Sequence, residues 1–168
     1  VNPYTPETDT GISYTVNYNP STANITFSYG NLYTAVKDEG VRTYTLAADE
    51  PAIGKDYGAM NGIELNVEGE GFAINGTKDN VKYAGITVNN GQTLNINNVE
   101  EFTGFTTALI NNGTLNITDS TFNGNTTDIV NNAAMNLLTT ANNEVNINTI
   151  DGANGITTAS GAGVINFN

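Results

Sequence analysis

Carboxylates are the side chains of this chain that could carry chemistry. The densest acidic group is Glu64, Glu68 and Glu70, and the pair Glu100 and Glu101 lies nearby when the repeats are aligned. Their hard oxygens could bind Ca²⁺. However, no Asp-x-Asp-x-Asp spacing and no nonapeptide calcium repeat accompanies them. This pattern favours a solvated acidic face, and we expect neither a metal ion nor a cofactor.

Three further carboxylates, Asp119, Asp128 and Asp151, are dispersed singly along the second half of the chain. Enzymes that cleave polysaccharides need paired carboxylates, or Ca²⁺-binding aspartates with a basic residue that abstracts a proton. The basic residues are four lysines and Arg42, and none recurs beside an acidic cluster on the repeats. We therefore expect a protein that is not an enzyme, with a polysaccharide lyase or hydrolase as the weaker alternative.

Composition excludes several other classes of function. The chain has 168 residues and a net charge of −12, without cysteine, histidine or tryptophan. Zinc fingers, thiol catalysis and histidine-based triads are thereby excluded. An acidic chain with a single arginine is a poor partner for phosphates, so we expect no nucleic acid. No apolar run reaches the roughly 18 to 20 residues that cross a membrane, so we expect no membrane span.

The elements that must position these side chains are short strands. Asparagine and threonine each outnumber the 18 glycines, whereas charged residues are only 13% of the chain. Asparagine, threonine and glycine have low helix propensity, and asparagine and threonine also compete for backbone hydrogen bonds. This composition favours strands joined by tight turns.

An internal repeat of about twenty residues organises the second half of the chain. The first repeated segment occurs as Val88–Gly91, Ile110–Gly113 and Val130–Ala133, so that its copies recur at nearly constant offsets. The second occurs as Leu94–Asn97, Leu115–Thr118 and Met135–Leu137. Apolar and polar residues alternate within each segment, which is typical of short, half-buried strands. A repeat that keeps the order of unlike segments favours a solenoid over a hairpin meander.

A solenoid stacks equivalent residues of successive coils roughly 4.8 Å apart. Phe72 starts the same pattern about one repeat length before Leu94. The predicted inward ladders are Phe72, Leu94, Leu115 and Met135, with Ile74, Ile96, Ile117 and Leu137 beside them. The predicted polar ladders are Asn95, Asn116 and Asn136 on the outside, and Asn89, Asn111 and Asn131 at the turns.

The segment 31–40 is the one convincing helix. Asn31 is its predicted N-cap, and Gly40 stands where a left-handed residue ends a helix. We expect this helix to cap the first coil. The predicted organisation is a leader with a strand pair at 1–30, a capping helix and connecting segment at 31–62, and β-helix coils, about five in number, at 63–168.

Three segments resemble those of known bacterial surface proteins. The segment 65–76 resembles the start of a right-handed parallel β-helix, and 113–126 resembles the repeats of autotransporter passengers and polymorphic outer-membrane proteins. The segment 150–167 resembles the passenger-associated transport repeat, which usually carries a lysine near Thr158 that this chain lacks. The resemblance implies an all-β, right-handed parallel β-helix and a location on the bacterial outer surface or outside the cell.

Two functions follow as expectations. The first is a non-enzymatic adhesin or structural spacer that presents a rigid polar surface to a host or matrix glycan or protein. The alternative is a subunit of an extracellular filament that stacks head to tail. Such a filament would use the unpaired edge of the C-terminal coil, with a strand from residues 12–29 donated to the neighbouring subunit.

Overall fold

The computed structural model describes residues 14–19, 24–152, 155–161 and 163–167. Residues 1–13 and 20–23 of the expected leader lie outside the described residues. One helix, α1 (Leu32–Lys37), lies among the described residues. The strands, in chain order, are β1 (Tyr14–Asn19), β2 (Asn24–Tyr29), β3 (Val41–Thr45), β4 (Gly58–Ala59), β5 (Glu64–Glu68), β6 (Ile74–Asn75), β7 (Thr77–Lys78), β8 (Val81–Lys82), β9 (Ile86–Val88), β10 (Thr93–Asn97), β11 (Phe102–Thr103), β12 (Thr107–Asn111), β13 (Thr114–Thr118), β14 (Thr121–Asn123), β15 (Thr127–Asn131), β16 (Ala134–Thr139), β17 (Glu144–Ile147), β18 (Ile150–Asp151), β19 (Ile156–Ser160) and β20 (Val164–Phe167).

Three parallel sheets wind around one core. Sheet one contains six strands in the order β3, β5, β10, β13, β16 and β19. Sheet two contains β6, β11, β14, β17 and β20, and sheet three contains β4, β9, β12, β15 and β18. The chain passes through the sheets in turn and completes about six coils, one more than the sequence suggested. The fold is the predicted all-β parallel β-helix, consistent with right-handed winding.

The inner face of sheet one carries two apolar ladders. Leu65, Leu94, Leu115 and Met135 are in register, and so are Val67, Ile96, Ile117 and Leu137. All eight side chains are at most 2% exposed. Leu65 and Val67 therefore occupy the places that the sequence pattern had assigned to Phe72 and Ile74.

Phe72 and Ile74 lie elsewhere because the first repeat is longer than the others. The antiparallel β7–β8 hairpin is inserted between β6 and β9, so that Leu65 and its register partner Leu94 are farther apart in the chain than Leu94 and Leu115. Phe72 is only partly buried and packs against the core from the corner after β5. Ile74 is fully buried in sheet two, in register with Phe102.

Sheets two and three complete the core. Phe102 and Phe122 are in register and stack with ring centroids 5.3 Å apart and an interplanar angle of 16°. In sheet three, Ile86, Leu109 and Ile129 form a fully buried ladder. Core stacking in the second half of the chain thus follows the sequence repeat.

The corners of the coils explain the positions of several polar residues. Asn98 and Asp119, which follow β10 and β13, have positive φ angles of 47° and 49°. Gly104 and Gly124, which follow β11 and β14, have φ angles of 78° and 71°. Asparagine, aspartate and glycine tolerate this left-handed conformation best, so their recurrence marks where each coil bends.

Helix α1 covers the first coil with three buried apolar residues, Leu32, Ala35 and Val36. Asn31 is its N-cap and accepts a hydrogen bond at Oδ1 from the Thr34 N–H over 2.9 Å. Gly40 has a left-handed φ of 88°, but the helix ends earlier because its C-cap is Asp38, in an extended conformation. Gly40 therefore shapes the turn into β3 and does not end the helix.

The segment before the helix contains an antiparallel pair, with Tyr14 of β1 opposite Tyr29 of β2. The Tyr29 hydroxyl donates to Asp38 Oδ2 over 2.9 Å, which ties β2 to the end of α1. The strands β3 and β4 already belong to sheets one and three. The parallel coils therefore begin before residue 63, where the sequence analysis had expected them to start.

Candidate interaction surface

The outer face of sheet one carries a regular polar array. Its central row consists of the register-matched residues Thr43, Asn66, Asn95, Asn116, Asn136 and Thr157. Strand alternation turns the four asparagines outward, because their neighbours on either side are buried in the core. We call this central row the asparagine face.

Hydrogen bonds between side chains connect four asparagines of this face. Asn136 donates from Nδ2 to Asn116 Oδ1, Asn116 to Asn95 Oδ1, and Asn95 to Asn66 Oδ1, each over 2.7 Å. Asn66 continues the series with a longer contact of 3.3 Å to the Arg42 carbonyl oxygen. The structure thus places Asn95, Asn116 and Asn136 in one ladder and adds Asn66 to it.

Two of the expected acidic residues lie beside the asparagine face. Glu64 Oε1 accepts from Asn95 Nδ2 over 3.3 Å, and Glu68 Oε1 accepts from Asn97 Nδ2 over 3.1 Å. Glu70 lies in the exposed corner after β5, with a φ of 52°. Negative charge is therefore placed on the second coil of this sheet, where amide groups already bind the carboxylates.

The turn ladder contains two of its three predicted members. Asn111 and Asn131 are in register and buried, and Asn111 donates from Nδ2 to Asn131 Oδ1 over 2.8 Å. Asn89 does not join them, because Val88 is the residue in register with Asn111. The corner from β9 to β10 is two residues longer than the corner from β12 to β13, which shifts Asn89 into an exposed turn.

Sheet two carries a second amide ladder that the sequence pattern had not revealed. Asn166 donates to Asn146 Oδ1 over 2.7 Å, and Asn146 donates to Thr121 Oγ1 over 3.0 Å. Asn146 and Asn166 are one repeat length apart in the chain, and this spacing is the signal that could have identified the ladder. Ladders of hydrogen-bonded polar side chains thus lie on the outside of two of the three sheets.

The three dispersed aspartates have separate structural settings. Asp128 is 1% exposed, and its Oδ2 accepts from the backbone N–H groups of Asn148 and Thr149 over 2.7 and 3.0 Å. Asp119 lies at a corner and accepts from the Thr140 N–H over 2.8 Å. Asp151 is exposed on β18. The first two carboxylates connect neighbouring coils.

A buried carboxylate, Glu50, lies at the capped end, and no pattern in the sequence had pointed to it. Glu50 is 6% exposed and accepts from the Leu32 N–H over 2.7 Å and from the Tyr44 hydroxyl over 2.6 Å. Burial, followed by the hydrogen bond to Glu50, raises the pKa of Tyr44 above its ordinary value. Burial also raises the pKa of Tyr57, and its buried hydroxyl has no hydrogen-bond partner among the described residues. Through the hydrogen bond that it accepts from the Leu32 N–H, Glu50 anchors the start of α1 to the first coil.

Two absences hold for the described part of the chain. Across these residues, no group of three or more aspartate and glutamate side chains is arranged to hold a metal ion. Within the same ranges, no helix has the length and apolar character needed to cross a membrane.

Comparison with known proteins found no relative of this chain. No family model matches it, and no curated protein or solved structure matches it either.

Proposed function

We propose that this protein acts at the bacterial outer surface or outside the cell as a non-enzymatic adhesin or spacer, and that it binds glycans through the asparagine face. The observation that carries this proposal is the hydrogen-bonded ladder from Asn66 to Asn136. The resemblance of the coils to autotransporter passengers supports the location.

The ladder orders the amides before any partner arrives. An asparagine amide has two N–H donors and an oxygen with two lone pairs. At Asn116 the ladder uses one donor and one lone pair, so that one of each remains for a ligand. Because the side chains are already fixed, binding costs less conformational entropy than it would for free asparagine rotamers.

A polysaccharide has hydroxyl groups that suit such an array. Hydroxyls both donate and accept hydrogen bonds, and a polymer repeats them at regular intervals. The amides of the asparagine face repeat at the strand spacing of about 4.8 Å. Many weak contacts along a rigid face then add up without a deep pocket.

A glycan array probed with the purified protein tests this function. The variant Asn95→Thr/Asn116→Thr removes the middle of the ladder and keeps residues that suit strands. We expect the wild type to bind and the double variant to lose most of its binding. The matched control is Asn123→Thr, which replaces an exposed asparagine on β14 of sheet two.

The array result has two outcomes that would overturn the proposal. One is that the wild type binds no glycan, and the other is that the control loses as much binding as the double variant. Circular dichroism establishes that all three proteins retain their β-structure. Release of shortened glycan products, if it depends on Ca²⁺ and on a carboxylate, would favour the lyase or hydrolase alternative instead.

A second candidate, head-to-tail self-assembly, is favoured by an apolar surface on the last described coil. Val164 and Phe167 of β20 are 51% and 50% exposed. They line an open cavity of about 440 Å³ together with Thr158, Gly163 and Ile165. This surface would fit the first coil of a second copy, and it would equally accept a further coil of a longer chain.

Electron microscopy and sedimentation of purified protein test self-assembly. Fibres that grow with concentration and disappear in Phe167→Asp would support it. A monodisperse monomer at all concentrations would contradict it. Deletion of residues 1–30 separates the two modes of assembly, because only strand donation requires that segment.

A further inference from the structure

A group of lysines surrounds one loop at the capped end of the solenoid. Lys55 lies in the loop 54–58, which leads into β4. Lys37 of α1 donates from Nζ to the Ala59 carbonyl oxygen over 2.7 Å. Lys78 of the β7–β8 hairpin lies along Gly54, where a β-carbon would come within 3.0 Å of Lys78 Cδ and 3.6 Å of Nζ. Three segments distant in sequence thus bring three ammonium groups to one loop.

The glycines of this loop make room for the lysines. Gly54 and Gly58 have φ angles of 78° and 69°, which favour glycine. A β-carbon on Gly58 would lie 3.4 Å from Lys37 Nζ. Gly54 therefore allows Lys78 to lie directly against the backbone, and at Gly58 a β-carbon would be in ordinary contact with Lys37.

Tyr33 fixes the positions of two of the lysines. The Nζ atoms of Lys55 and Lys37 lie 3.9 and 5.6 Å from the centroid of its ring, within cation–π distance. Tyr33 is itself held by Tyr57, whose ring centroid is 6.0 Å away. The ammonium groups are thus arranged by a ring that packs against the core.

The lysine cluster has no carboxylate partner among the described residues. Although the chain carries a net charge of −12, none of its four lysines forms an ion pair with a carboxylate in the part of the chain that the structure describes. Asp56 lies within the loop, but its Oδ1 accepts from the Ala84 N–H over 2.8 Å. Burial, and in second place the charge of Lys55, lower the pKa of Lys37.

We propose that Lys37, Lys55 and Lys78 form a binding site for one small oxyanion, a sulfate or carboxylate group. Ammonium groups form charge-assisted hydrogen bonds with such oxygens. A long polyanion fits less well, because the acidic remainder of the surface repels it. The oxyanion is either a free ion or a substituent of a sugar. This site is separate from the asparagine face and does not depend on the proposed function.

An NMR titration of ¹⁵N-labelled protein tests the site. Sodium sulfate is compared with sodium chloride at equal ionic strength, and glucose 6-sulfate with glucose. We expect saturable shifts of the amides of residues 33 and 54–58 with sulfate, and only small, non-saturating shifts with chloride. A response to glucose 6-sulfate that is tighter than the response to free sulfate identifies a sugar substituent as the preferred source.

Lysine variants complete the test. Lys55→Gln/Lys78→Gln should weaken sulfate binding about tenfold or more. Lys82→Gln should leave the affinity unchanged, because the Lys82 Nζ donates to the Gly124 carbonyl oxygen, away from the loop. Lys55→Arg should retain binding. Equal shifts with sulfate and chloride, or equal weakening by Lys82→Gln and by the double variant, would overturn the proposal.

Discussion

Asn116 donates a hydrogen bond to Asn95 over 2.7 Å, and the two residues lie at the same register position of consecutive coils. The asparagine face is therefore a structural feature as well as a candidate binding surface. Its contribution to stability can be measured separately from its contribution to binding.

Replacing Asn116 with alanine should lower the free energy of unfolding by about 1 to 2 kcal/mol, because a typical hydrogen bond makes a net contribution of this order. The variant removes two hydrogen bonds between side chains, one to Asn95 and one from Asn136. Urea denaturation followed by circular dichroism measures the change. Asn90→Ala is the control, since Asn90 is exposed and its side chain has no hydrogen bond to a described residue. Equal losses in the two variants would contradict a stabilising ladder.

Replacing Asn111 with alanine should have a larger effect than replacing Asn116. Asn111 is buried, and its Nδ2 donates to the Ala134 carbonyl oxygen as well as to Asn131, each over 2.8 Å. Removing this buried amide breaks both hydrogen bonds, which we expect to cost about 1 to 3 kcal/mol in total. Differential scanning calorimetry compares the variant with Asn112→Ala. Asn112 is an exposed neighbour that accepts one hydrogen bond from Asn132. An equal loss of stability in Asn112→Ala would show that burial does not cause the larger effect.

Replacing Tyr44 with phenylalanine should lower the free energy of unfolding by about 1 to 3 kcal/mol, because the buried Glu50 carboxylate loses a hydrogen-bond donor. The loss should concentrate at the capped end, where Glu50 also accepts from the Leu32 N–H. Amide hydrogen exchange in α1 should therefore accelerate. The matched control is Tyr83→Phe, whose hydroxyl has no partner among the described residues. Unchanged exchange in α1 would show that Glu50 does not need this donor.

Asp38 should make stability depend on pH in the acid range. Burial alone would raise its pKa, but hydrogen bonds from Arg42, Tyr29 and the Glu39 N–H, together with the charge of Arg42, lower the pKa below the ordinary 3.8. A carboxyl with a lowered folded-state pKa stabilises the protein above its unfolded-state pKa. This contribution is lost as the pH falls through the lower, folded-state value.

The variant Asp38→Asn measures this contribution. Since Asp38 is partly exposed, we expect a loss of at most about 1 kcal/mol at neutral pH and a smaller loss at about pH 3. Urea midpoints at both pH values provide the comparison. Glu39→Gln, which removes the adjacent exposed carboxylate, should keep the wild-type pH dependence. A loss for Asp38→Asn that is the same at both pH values would contradict the assignment.

The repeat in the second half of the chain allowed the fold to be predicted from sequence. Leu94, Leu115 and Met135 recur at nearly equal offsets, and the structure stacks them in register. The prediction failed at Phe72 because the inserted hairpin lengthens the first repeat. Leu65-Asn66-Val67 has the same alternation as Leu94-Asn95-Ile96 but lies more than one regular repeat earlier, outside the period that the later coils define.

Sequence by itself determined the parallel winding and the stacking of Asn95, Asn116 and Asn136, because one residue type at one position of every repeat must stack on itself in a solenoid. Only the tertiary structure decided which residues meet where the repeat is interrupted. It also decided the two clusters at the capped end, around Glu50 and around Lys55. Their members come from segments without a repeat, and no spacing in the chain indicates that a helix, a loop and a hairpin will converge there.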